Sequence, residues 1–217
     1  MAKPPPNVKP SASRLTLVSP AVEDAEAFAQ PLAEALGAAD IAAVLLRLAG
    51  ADERTLINRV KALAPMVQSR DVALVLDGEP GIAVRGGADG VHLTGLTEFL
   101  AAVDSLKPAR IAGCGGLATR DDAMTVAERG ADYVMFGEPH GGRRPSLDAI
   151  LDRVAWWAEV FEVPCVGFAT TLAEVGPLAK AGADFVALGV DVWNDPRGVA
   201  AAVAEAAQAL AAPEVVA

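Results

Sequence analysis

Gly87-Ala88-Asp89-Gly90-Val91-His92-Leu93 carries more fold information than any other stretch, because a variant of the same phrase recurs three more times along the chain. It reads Ala38-Ala39-Asp40-Ile41 before Ala42-Ala43-Val44-Leu45-Leu46-Arg47, Gly130-Ala131-Asp132-Tyr133-Val134 before Met135-Phe136-Gly137, and Gly182-Ala183-Asp184-Phe185-Val186 before Ala187-Leu188-Gly189. Glycine takes the left-handed conformation that ends a helix, and Asp suits the turn into the next strand, so the phrase marks a helix-to-strand junction. Successive Asp residues stand 49, 43 and 52 positions apart. That is too far for one helix and one strand, so each interval holds two such units.

Four junctions with two units each predict eight strands alternating with eight helices. The intervening strands are expected at Leu15 to Ser19, Ala73 to Asp77, Arg110 to Cys114 and Pro164 to Phe168, short apolar runs of the kind that parallel strands buried on both faces require. Helices are expected at Glu23 to Leu36, Glu53 to Gln68, Pro80 to Arg85, Leu96 to Ser105, Arg120 to Arg129, Leu147 to Phe161, Leu172 to Ala181 and Pro196 to Leu210. The fold class is therefore α/β, a single-domain (β/α)8 TIM barrel. A doubly wound open sheet would need a glycine fingerprint after its first strand, and Leu17-Val18-Ser19-Pro20 has none.

With 217 residues, 53% of them apolar, the chain can bury one large core. The barrel is assigned to residues 14–212. Residues 1–13, with Pro4-Pro5-Pro6 and scattered Lys, are read as a disordered N-terminal tail, too polar for a signal peptide. No apolar run approaches the ~18 residues of a membrane span. Cys114 and Cys165 fall in expected buried strands without the spacing of a disulfide framework or zinc site, so a reducing cytoplasm is the expected compartment. The formal charge of −10 argues against nucleic acid, whose phosphates call for clustered Lys and Arg.

In such a barrel, chemistry is expected in the loops that follow the strands. Arg47 ends an apolar strand, where a lone charge is costly unless it meets an anion or an internal carboxylate. It therefore contacts a ligand or pairs with Asp77 or Glu79. Gly141-Gly142-Arg143-Arg144 suits an anion, with glycine N–H groups able to approach closely and Arg offering a fork for phosphate; a solvated basic loop is the alternative. His140 lies in that loop and can titrate near neutral pH, whereas His92, inside a strand, reads as a packing residue. Thr170 and Gly189, after the seventh and eighth strands, complete the candidate mouth. Gly115-Gly116 with Thr119 and Asp121 reads as a turn and N-cap, Cys114 as a buried structural thiol, and Trp156 and Trp157 as packing between helix and barrel. No Lys ends an expected strand, which disfavours Schiff-base chemistry.

Leu15-Thr16-Leu17-Val18-Ser19, Leu46-Arg47, Gly87 to Leu93, Gly130 to Gly137 and Gly182 to Ala187 together resemble the thiamine phosphate synthase family, which includes the thiazole tautomerase. The resemblance runs from about residue 14 to 205. It implies a barrel that joins a pyrimidine diphosphate to a thiazole phosphate, using magnesium held by carboxylates, in small homo-oligomers. The strand-end loops supply the candidate ligand set, Arg47, Asp77, His140, Gly141, Gly142, Arg143, Arg144, Thr170 and Gly189, and Asp77 is the candidate for the magnesium that the resemblance implies.

The chain departs from the family pattern at working positions. Leu45 and Ala49 stand where the family pairs Gln and Lys around the strand-two Arg. Asp77-Gly78 replaces Asn-Asp, and Thr94-Gly95-Leu96-Thr97 replaces Gly-Gln-Glu-Asp. Gly141 to Arg144 replaces threonines and a lysine, Phe168-Ala169-Thr170 a Gly-Gly-Ile phosphate cradle, and Val190 a serine. Gly115 to Ala118 lacks the histidine a tautomerase would carry. Two expectations compete: synthase chemistry much slower than in an intact relative, or a non-catalytic relative that binds a small phosphorylated ligand or a protein partner.

Overall fold

The computed structural model describes residues 13–211, so residues 1–12 of the expected tail and residue 212 of the expected barrel lie outside the described residues. Strands and helices alternate along the whole of that span: β1 (Arg14–Val22), α1 (Ala25–Ala38), β2 (Ile41–Leu48), α2 (Glu53–Gln68), β3 (Ala73–Asp77), α3 (Pro80–Gly86), β4 (Gly90–Thr94), α4 (Leu96–Leu106), β5 (Ile111–Gly115), α5 (Arg120–Glu128), β6 (Tyr133–Phe136), α6 (Leu147–Val160), β7 (Cys165–Ala169), α7 (Val175–Lys180), β8 (Phe185–Leu188) and α8 (Val199–Ala211). All neighbouring strands pair in parallel, and β8 closes onto β1. The (β/α)8 barrel expected from the junction phrase is the fold. Among the described residues, no helix is long and apolar enough to cross a membrane.

The repeated Asp does more than make a turn. Asp89, Asp132 and Asp184 each stand just before an even-numbered strand, and each carboxylate accepts from a backbone N–H at the start of the preceding strand, those of Leu74 (2.7 Å), Ala112 (2.7 Å) and Cys165 (2.8 Å). Each also donates its own N–H to the carbonyl of that same residue. Capping the strand ends in this way satisfies backbone groups that the ladder leaves open at the N-terminal mouth. Asp40 holds the equivalent place before β2 but accepts both Arg14 donors instead, at 2.9 and 2.7 Å.

Apolar residues divide by strand alternation. Leu15, Leu17, Val44, Leu46, Leu74, Leu76, Val91 and Val134 point outward into the main core beneath the helices, while Val18, Leu45, Val75, Met135, Val166, Phe168 and Ala187 fill the barrel interior. Trp157 lies buried in the main core, with its ring 4.1 Å from that of Phe161 and its indole N–H donating to Val163 O. Helix starts follow the expected chemistry: Thr119 and Asp122 form a reciprocal capping box before α5. The stretch expected as one helix from Leu172 divides into a 3-10 turn (Leu172–Glu174) and α7, with Gly176 and Pro177 early in the latter. The last helix begins at Val199 rather than Pro196, after a 3-10 turn at Val190–Asn194.

Candidate functional site

Two inward positions at the C-terminal ends of β2 and β3 carry opposite charge. Arg47 Nε donates to Asp77 Oδ2 at 2.9 Å, and both side chains are about one quarter exposed (26% each). Arg47 is held in place from its backbone, because its N–H donates to the buried Ser19 hydroxyl at 2.8 Å. Ser19 sits where β1 loses register beside Pro20, which has no N–H to offer.

A second nitrogen of the same guanidinium, Nη2, meets Glu138, in the loop after β6. This carboxylate is 4% exposed, and its second oxygen lies 3.1 Å from His92 Nε2. His92 is fully buried, and its Nδ1 lies 2.8 Å from the Tyr133 hydroxyl. Burial, reinforced by the charge of Glu138, pushes the Tyr133 phenol well above its ordinary range. The Tyr133 hydroxyl thus keeps its proton and shares a hydrogen bond with Nδ1, while Nε2 shares one with Glu138. Burial alone would raise Glu138, but the His92 hydrogen bond and the Arg47 charge hold it below the usual carboxylate value. The result is one continuous chain: Asp77, Arg47, Glu138, His92, Tyr133.

β5 makes room for this chain by omitting side chains. A Cβ at Gly115 would stand 2.5 Å from Glu138 Oε2 and 2.7 Å from His92 Nε2, and one at Gly113 would collide with the Tyr133 ring. His92 is thus a link between charged and polar groups and not only a packing residue. Glu138, His92 and Tyr133 form the buried part of the site, and none was among the candidate residues. The available signal was Gly113 and Gly115 on alternate, inward positions of one strand, which marks a close approach.

A cavity of about 490 Å³ adjoins Glu138 and carries His140, Arg143 and Arg144 on its wall. His140 and Arg143 exchange backbone hydrogen bonds of 2.9 and 3.0 Å around Gly141 and Gly142, whose φ angles are +57° and +73°. These glycines serve a two-residue turn with both central residues left-handed, which few other residues tolerate. Arg144 is fully engaged. It donates to Gly137 O (3.0 Å) and Phe168 O (2.9 Å), and forks onto Glu174 (3.1 and 2.9 Å), tying the ends of β6 and β7 together. Arg143 is exposed, and its guanidinium has no partner among the described residues. Thr170 and Gly189 meet at a second cavity of about 220 Å³, whose wall also carries Asp191 and Asp195. The hydroxyl of Thr170 donates to Glu174.

The chain matches the family model described as thiamine monophosphate synthase over residues 15–192. The chain belongs to this family. A thiamine-phosphate synthase of Rhodospirillum centenum is 43% identical over 196 residues, covering 88% of this chain and 95% of the relative. One of Hyphomonas neptunium is 35% identical over 201 residues, covering 88% and 90%. Among solved structures, the thiamine phosphate pyrophosphorylase of Pyrococcus furiosus superposes with a TM-score of 0.73 at 20% identity, covering 91% of this chain and 95% of that one. A 3-hexulose-6-phosphate synthase from Salmonella typhimurium gives 0.68 at 15%, covering 91% and 98%. These two likenesses describe the shared barrel.

Magnesium is the metal that resemblance to thiamine phosphate synthases implies. In this member of the family, Asp77 is committed to Arg47, and Gly78 beside it has no side chain. Among the described residues, no three His, Cys, Asp or Glu side chains come together to hold a cation. Asp77, the expected magnesium ligand, offers its carboxylate to Arg47.

Proposed function

We propose that this chain is a slow thiamine-phosphate synthase of the cytoplasm, which binds a pyrimidine diphosphate and a thiazole phosphate at the C-terminal mouth and joins them. The supporting observation is the pairing of a free cationic edge with a closed ionic floor. Arg143 and His140 present donors to a phosphate at a cavity of about 490 Å³, while Arg47, the inward cation at the end of β2, is held between two carboxylates.

Departure of a diphosphate places charge on its leaving oxygens, and preorganised donors aimed at that charge usually contribute more to such catalysis than any other single effect. Arg143 donates in a geometry matched to phosphate oxygens. Arg144 acts through its carbonyl and carboxylate bonds, fixing the loop that carries Arg143. Arg47 contributes less than a free guanidinium would, because Asp77 and Glu138 already neutralise it. Retained phosphate binding with weak leaving-group stabilisation also fits a non-catalytic relative, and turnover separates the two readings.

The binding half is tested by thermal shift with each phosphorylated ligand. A ligand at 100 times its Kd stabilises by about 2.7 kcal/mol. The expected result is a shift with the thiazole phosphate or the pyrimidine diphosphate that survives chelation of magnesium and disappears in Arg143→Ala. No shift with either ligand contradicts the proposal.

A further inference from the structure

At the opposite end of the barrel the described residues leave part of the interior unfilled. Strand register places Thr16 beside Ala43, and Ala43 beside Ala73, on three successive strands. All three alternate with the inward residues Val18, Leu45 and Val75, so they form one inward layer at the N-terminal end. A layer of this kind is ordinarily filled by bulky branched side chains. Here the small side chains of β1 to β3 face the rings of Tyr133 and Phe185, and a cavity of about 310 Å³ lies between them. Its volume falls at the lower end of small-molecule sites.

Two features point to a ligand and define its class. Thr16 lines the cavity and is 7% exposed, yet its hydroxyl makes no hydrogen bond among the described residues. The oxygen is not sealed off, since no fully buried side-chain N or O among the described residues lacks a partner, and it is a polar handle that the cavity reaches. The charges at the rim are already satisfied: Arg14 is paired with Asp40, and Asp132 accepts from Lys107 at 2.6 Å and from the Ala112 N–H at 2.7 Å. The charges thus stay at the rim, and inside it a neutral aromatic molecule with one hydroxyl or N–H meets two rings, an apolar floor and one hydroxyl.

We infer that the N-terminal end of the barrel is a second binding site, for a neutral single-ring aromatic ligand bearing one hydrogen-bonding group. It is separate from the phosphate cavity and independent of the reading given to that cavity. Tyr133 forms part of its wall and bonds His92, so occupancy registers at His92.

The full-length chain is titrated with phenol and with toluene, followed by calorimetry and by the ring proton resonances of His92; His140 is the only other histidine in the sequence. Both probes should bind saturably and move the His92 signals with the calorimetric Kd. Thr16→Val should weaken phenol about tenfold and leave toluene unchanged, the difference one hydrogen bond makes. Ala73→Leu fills the cavity and should weaken both at least tenfold; Ala43→Leu does the same from the neighbouring strand, should the first variant fail to fold. Absence of binding to the wild-type chain, stationary His92 signals, or a filled variant that binds both probes normally would each overturn the site.

Discussion

Glu138 reaches from the loop after β6 to the guanidinium of Arg47 at the end of β2, with its other oxygen on His92. The contact joins residues 91 positions apart in sequence. It is the centre of the polar chain inside the mouth, and it gives Arg47 a second carboxylate, on Nη2, beside Asp77 on Nε. A buried charge of this kind is costly to leave unpaired.

Replacing Arg47 by Ala leaves Glu138 buried without its cation and should lower stability by about 3–5 kcal/mol. Glu138→Gln keeps the shape and one acceptor, and should lose about 1.5–3 kcal/mol. Urea denaturation of the two variants measures the difference. Equal stability of Arg47→Ala and the wild type would show that the pair is solvated.

The pH dependence follows from the same carboxylate. Glu138 lies below its ordinary value of 4.5 despite burial, and Glu174 does so beside Thr170 and Arg144. A depressed folded pKa contributes stability that is complete above the unfolded value and is lost as pH falls through the folded one. Melting temperature should therefore hold steady from pH 7 to about 5 and decline below about 4.5. The decline should be shallower in Glu138→Gln. An unchanged acid limb in that variant would show that Glu138 does not govern it.

Arg143 and Arg144 are neighbours with opposite roles. Arg143→Ala should leave stability unchanged within about 0.5 kcal/mol, as an exposed substitution does, and abolish phosphate-dependent stabilisation. Arg144→Ala should cost about 1.5–3 kcal/mol by unpairing Glu174 and releasing two carbonyls. Paired melts with and without inorganic phosphate distinguish the two.

The fold was legible because its signal is local and repeated. A Gly-Ala-Asp junction needs only helix-end and strand-start chemistry, and Asp89, Asp132 and Asp184 meet that need in the same way, each capping the strand before it. The Arg47–Asp77 pair was also legible, since both residues end adjacent strands. Glu138 was not, because its partners come from β2 and β4 and nothing near it in sequence shows where its loop folds. Gly141-Gly142 and Arg144 suited an anion by type. The structure uses the glycines for left-handed turn positions and Arg144 for carbonyls and a carboxylate, partners that a sequence does not display.

Cys114 is fully buried, and burial raises its thiol to about 12. In the folded chain at about pH 8 it should resist a disulfide exchange reagent and react only on unfolding. Stoichiometric labelling of Cys114 under native conditions would mean that β5 opens readily.

The rate of synthase turnover decides whether the altered mouth still supports the family's chemistry. Product formation from the pyrimidine diphosphate and the thiazole phosphate is measured at saturating magnesium, beside a family member that keeps the Asn-Asp and Glu-Asp carboxylates. Losing a single preorganised donor costs about 10²–10³ in rate; the family resemblance implies charged groups where Gly78, Thr97 and Ala49 stand, and Arg47 is engaged by Asp77 and Glu138. The expected rate is at least about 10²-fold below that of the intact relative, with thiazole phosphate or pyrimidine diphosphate still bound through Arg143. Turnover equal to the relative's would contradict a slow synthase and show that other residues, such as Glu79 or Glu98, supply the missing charge.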